Sequence, residues 1–185
     1  MKPFPERDRW RILHFSWIAF CSTFFAWFAF APLAGMIQKD LGLSNAQIGW
    51  LATAGVLLTI PGRLVIGRLV DQLGPRKVYT LLMVAMAIPV MSLGFAQTFQ
   101  QLFVLRLIIG LVGCGFVIGI RLIGDWFPAR QAGIAGGVYA GWGNAGSAVA
   151  ADGRAGFAML TTQIATAFAA FGWMFGLRRP RRRVL

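Results

Sequence analysis

The sequence predicts an all-α, multi-pass membrane protein of six transmembrane helices with both termini in the cytoplasm. Three observations predict it. Of 185 residues, 57% are hydrophobic and only 13% charged, against roughly 25% charged in an average soluble domain. The apolar residues gather into six stretches, each near the ~20 residues that cross a bilayer as a helix. Basic residues alternate between crowded and nearly empty loops, the pattern that orients membrane helices.

The first stretch, residues 12–37, follows Lys2, Arg7, Arg9 and Arg11 and contains Ala29-Phe30-Ala31. Those features resemble a secretory leader, but a leader's apolar run is only ~7–15 residues, so this one is expected to stay as a helix. The second covers residues 48–70 and carries Arg63. The third and fourth, residues 78–97 and 99–123, meet at Gln97 and Thr98 and should form a tight hairpin. The fifth, residues 132–151, is rich in small side chains, and the sixth runs over residues 155–177. Twelve basic residues fall at the amino terminus, after the second and fourth stretches and in the tail, against Lys39 and Arg154 on the other side. The positive-inside rule then places both termini in the cytoplasm.

The net charge of +12 would suit nucleic acid if a polar scaffold carried it. A mean hydropathy of +0.66 excludes such a scaffold, and no nucleic-acid partner is expected. Cys21 and Cys114 both sit in apolar runs and His14 is the single histidine, so neither a disulfide framework nor a metal site is in prospect. No phosphate-binding loop, dinucleotide fingerprint or nucleophile elbow occurs. The chain reads as a non-enzyme that needs no cofactor and has the lipid bilayer as its partner.

Polar residues inside the stretches carry the functional question. A central arginine costs roughly 2.5–3.5 kcal/mol on insertion scales and should face a cavity or a partner. Arg63 has no acidic residue inside any stretch to pair with. A bound oxyanion would suit its paired donors, and snorkelling or pairing with backbone carbonyls is the structural alternative. Arg106 is balanced between helix packing and a transport role. In the fifth stretch Gly133, Gly137, Gly141 and Ala145 recur every four residues, a spacing that lets another helix approach closely. Asn144 either hydrogen-bonds a neighbouring helix or contacts a polar substrate.

The loop after the second stretch reads Gly67-Arg68-Leu69-Val70-Asp71-Gln72-Leu73-Gly74-Pro75-Arg76-Lys77. It resembles the signature between helices two and three of the major facilitator superfamily, G-x-L-x-D-x-x-G-x-R-K, and Arg106-x-x-x-Gly110 is similar to that superfamily's helix-four arginine motif. Asp71 would pair with nearby arginines as a latch on one conformation, while Gly67 and Gly74 would permit close helix approach and a sharp turn.

Within the superfamily, Ala140-Gly141-Trp142-Gly143-Asn144-Ala145-Gly146 resembles the nitrate signature of the nitrate/nitrite porter family, built on G-x-G-N-x-G. Trp126-Phe127-Pro128 and Gln131-Ala132-Gly133 are also similar to these porters. The resemblance implies that Arg63, eleven residues before Gly74, binds the anion. It implies that Phe116, twelve residues before Pro128, stacks on the planar anion, and that Asn144, directly after the signature's second glycine, Gly143, reaches the substrate with it. The implied function is secondary active transport of nitrate or nitrite across the cytoplasmic (inner) membrane by alternating access.

That resemblance covers residues from about 12 to 150, and residues 1–150 are expected to form a helical bundle like the porters' N-terminal half. Residues 151–185, with Ala151-Asp152-Gly153-Arg154 and an arginine-rich end, read as an atypical sixth helix and tail, truncated or out of frame. The porters have a second six-helix half that supplies another substrate arginine. Three alternatives follow: a non-transporting fragment of a disrupted gene, a half that homodimerises or joins a separate six-helix half, or a facilitator half for another small solute.

Overall fold

A computed structural model describes residues 5–150, and the expected sixth helix and tail lie outside the described residues. The described chain is helical without a strand: α1 (Glu6–Phe28), α2 (Phe30–Asp40), α3 (Asn45–Leu57), α4 (Thr59–Leu73), α5 (Pro75–Ser92), α6 (Phe99–Ile109), α7 (Gly115–Trp126) and α8 (Ala129–Ala150). Short 3-10 segments at Leu93–Phe95 and Gly110–Cys114 extend α5 and join α6 to α7.

Among the described residues, four runs are long and apolar enough to cross a membrane: Glu6–Asp40, Asn45–Leu73, Pro75–Phe95 and Phe99–Trp126. They correspond to the first four expected stretches. The fifth forms α8, whose 22 residues suffice in length, though it is not among these four runs.

The first two spans are interrupted where proline dictates. A proline lacks the N–H that would bond the carbonyl four residues back, and Pro32 and Pro61 point back to Phe28 and Leu57, the last residues of α1 and α3. The fourth span departs from α-helix over a glycine-containing 3-10 segment, where it is wound more tightly. The three irregular points are tied together. Trp27 Nε1 donates to the Gly55 carbonyl at 2.7 Å, and Thr59 Oγ1 donates to the Gly110 carbonyl at 2.6 Å.

The turns explain the hairpins. Ser44 and Gln47 form a reciprocal capping box at the start of α3, and the Thr98 hydroxyl caps α6 through Gln101 N–H at 3.3 Å. Gly74 has φ +85°, a backbone that only glycine adopts without strain, and Pro75 then opens α5. This is the sharp turn expected of Gly74. At Gly67 a Cβ would meet nothing within 4 Å among the described residues, so no close approach is made there.

The bundle core lies where α1 and α5 meet the fourth span, around the joint between α6 and its 3-10 segment. Phe25, Tyr79, Met83, Ile109 and Val112 are buried at its centre. A second cluster joins Leu13 and Phe20 of α1 to Ile123 and Phe127 at the end of the fourth span and to Ala135 and Tyr139 of α8. Among the described residues, α8 packs through Ala135, Tyr139, Gly143 and Gly146, which are buried, while a Cβ on Gly133, Gly137 or Gly141 would meet nothing within 4 Å. A Cβ on Gly146 would strike the backbone carbonyl of Cys21, and one on Gly143 would strike the Phe20 ring.

Candidate functional site

Arg63 projects from α4 as an exposed side chain, with no hydrogen bond or ion pair among the described residues. Its neighbour Gly62 sits tight against the fourth span, where a Cβ would stand 3.1 Å from Cys114 Sγ. That contact brings the Arg63 stretch beside the segment leading into Phe116.

Phe116 is partly buried among aromatic rings of three helices. Its ring centroid lies 5.8 Å from Phe20 and 6.3 Å from Tyr139. Phe20 in turn stacks on Tyr139 at 4.8 Å and fills the hollow left by Gly143. Phe116 and Gly143 are therefore joined through Phe20. Asn144, one residue on, is exposed, and its Nδ2 donates to the Ala140 carbonyl at 2.7 Å. An amide nitrogen carries two protons, so one donor remains.

Arg106 is held quite differently. It is 5% exposed, with Nη1 donating to the Trp27 carbonyl at 3.2 Å and Nε to the Leu51 carbonyl at 3.4 Å. Its Cζ lies 4.3 Å from the centroid of the Phe30 ring. Asp71 meets Arg121 of α7 at 3.5 Å, and Arg121 also reaches Asp125 at 3.9 Å. Arg68 and Lys77 are exposed, and Arg76 is partly buried at the start of α5. An open hollow at the turn between α5 and α6, lined by Ser92, Phe95, Gln100 and Gln101, includes none of these residues.

Residues 16–184 match the family model of the Major Facilitator Superfamily. The chain belongs to this superfamily.

Among curated relatives of this facilitator chain, the nitrate/nitrite transporter NrtP of Picosynechococcus is 45% identical over 91% of the chain. The NrtP of Nostoc punctiforme is 48% identical over 79%, and the probable nitrate/nitrite antiporter NarK1 of Thermus thermophilus 37% identical over 77%. The matches cover 30%, 29% and 32% of those relatives, so the chain spans about a third of their length. With these relatives and four membrane-length apolar runs, the chain is a multi-pass membrane protein of a transporter family.

Four participants, Phe20, Arg121, Tyr79 and Tyr139, are not among the site residues the sequence singles out. Phe20 was one aromatic among many, and Arg121 was a charge near a helix end. Tyr79 and Tyr139 had a signal: they are the only two tyrosines of 185 residues, and each sits in an apolar run.

Proposed function

We propose that the chain contributes the anion-contacting half of a nitrate/nitrite porter of the cytoplasmic membrane. The observation that carries this reading is Arg63, a guanidinium within a membrane-length run, exposed and without a hydrogen bond or ion pair among the described residues. A charge so placed needs a compensating partner, and a planar oxyanion accepts two parallel N–H donors from guanidinium geometry. The names of the relatives support nitrate or nitrite as that anion. Phe116 presents an aromatic face beside the Arg63 stretch, the free Asn144 proton supplies a further hydrogen bond, and Gly143 lets α8 lie close enough to α1 to bring it there.

Transport then proceeds by alternating access around a site near the bilayer midplane. A second six-helix half, or a second copy of this chain, closes the site opposite Arg63. The Asp71–Arg121 pair joins α4 to α7 and serves as a latch on one conformation, with Arg68, Arg76, Lys77 and the Gly74 turn around it. Nitrate shifts the balance by the difference in its affinity for the two states.

The test is nitrate binding to the purified chain. Arg63→Lys keeps the charge and loses the paired geometry, and is expected to weaken binding about tenfold, the worth of roughly 1.4 kcal/mol. Leu64→Met should change it little. Equal affinity in the two variants would refute the assignment.

A further inference from the structure

We propose that Tyr139 and Tyr79 form a buried hydroxyl brace that fixes the plane of Phe116 and so makes Tyr139 a positioning residue for selectivity toward planar anions; this rests on the anion-site reading above. Both tyrosines are almost completely buried, at 1% for Tyr79 and 0% for Tyr139. Their hydroxyls lie 3.4 Å apart, and Tyr139 donates to the Gly115 carbonyl at 3.0 Å. A phenol has one proton. Tyr139 spends its own on Gly115, so Tyr79 is the donor of the pair, and the chain of bonds runs from α5 through α8 to α7.

Gly115 is the residue immediately before Phe116. Its carbonyl is the point at which the brace grips the backbone that aims the Phe116 ring. The Tyr139 ring adds a second grip: Gly119, one turn along α7, has no Cβ where one would strike that ring. On its other side the same ring lies nearly parallel to Phe20, with 15° between planes. Tyr139 thus fits between Gly115 and Gly119 and meets both Phe116 and Phe20, the other ring beside Phe116. Packing alone would be served by phenylalanine, because a buried hydroxyl has to find partners to offset its lost hydration. What the hydroxyls add is a fixed orientation.

A fixed flat ring favours a flat anion. The experiment titrates nitrate, which is planar, and chlorate, which is pyramidal, into the purified full chain by calorimetry. In Tyr139→Phe, nitrate affinity is expected to fall about five- to tenfold, the worth of one hydrogen bond, with chlorate affinity changing less than about twofold. Tyr79→Phe, which leaves the bond to Gly115 in place, should lower the nitrate-to-chlorate preference in the same direction by a smaller factor. An unchanged preference in both variants, with wild type binding nitrate, overturns the brace and leaves the anion site standing. No nitrate binding by wild type overturns both. If Tyr139→Phe fails to fold, Tyr79→Phe decides alone: a reduced preference supports the brace and an unchanged one overturns it.

Discussion

Arg63 and Arg106 are the same residue type at similar apparent risk, yet their surroundings separate them. Arg106 sits among carbonyls and a ring, with donors directed at Trp27 and Leu51 and its flat face over Phe30. That arrangement favours the packing side of the choice the sequence left open. It braces the first span just before its break, since Trp27 is the residue preceding the end of α1. Arg106→Lys would keep the charge but place a single ammonium where two separated carbonyls need donors, and an ammonium cannot lie flat on Phe30. The expected result is a loss of about 1–3 kcal/mol in stability, read as a lower thermal midpoint of the detergent-purified chain. A midpoint equal to wild type would show that the guanidinium contacts are dispensable. None of this was legible in the sequence, because backbone carbonyls as partners leave no residue-type signature. The absence of a carboxylate inside the runs was legible, and it limited both arginines to carbonyls, rings or a ligand.

The elements were legible to different degrees for a physical reason. Hydropathy marks a run, and proline marks its weak point, so Pro32 and Pro61 carried the breaks in advance, although the reading treated each span as continuous. Helix faces are harder. α8 has so many small residues that several faces look able to accept a neighbour, and the four-residue repeat from Gly133 to Ala145 is one of them. The face used is the one carrying Tyr139, because there a large ring and the hollows at Gly143 and Gly146 interlock with Phe20 and Phe25 of α1. Two glycine substitutions separate these faces. At Gly146 a Cβ would collide with the Cys21 carbonyl and stand 2.9 Å from the Phe25 nitrogen; backbone cannot swing aside. Gly146→Ala should therefore destabilise the chain by about 1–3 kcal/mol. Gly141→Ala meets nothing within 4 Å among the described residues and should be neutral or add up to about 1 kcal/mol from helix propensity. Thermal unfolding of the two variants side by side checks the assignment, and equal shifts would contradict the seam.

On the scale of the whole molecule, the apolar runs and the charge pattern were readable because the bilayer imposes both directly on composition. The packing order of the helices was not, since lipid-facing and helix-facing positions are equally apolar. The fold now gives the charge pattern a geometry. Arg9 hydrogen-bonds Gln131 at 3.0 Å and Trp10 meets Phe127 edge-on at 5.8 Å, so the start of α1, the end of the fourth span and the start of α8 share one end of the bundle. The Asp71–Arg121 contact puts the α4–α5 turn there too. Arg7, Arg9, Arg11, Arg76, Lys77 and Arg130 belong to that end, and Lys39 to the opposite one. The positive-inside rule predicts that the crowded end faces the cytoplasm. Lys77 and Lys39 are both exposed, so a cysteine at either is accessible from its own side, while Cys21 and Cys114 lie within the apolar runs. Lys77→Cys leaves the other basic residues of the crowded end in place, and Lys39→Cys only lowers the charge of the opposing end, so neither change should invert the chain. A membrane-impermeant maleimide applied to intact cells is expected to label Lys39→Cys and to reach Lys77→Cys only after permeabilisation. Labelling of Lys77→Cys on intact cells, with Lys39→Cys protected, would reverse the orientation and place the Asp71–Arg121 ion pair on the outer face.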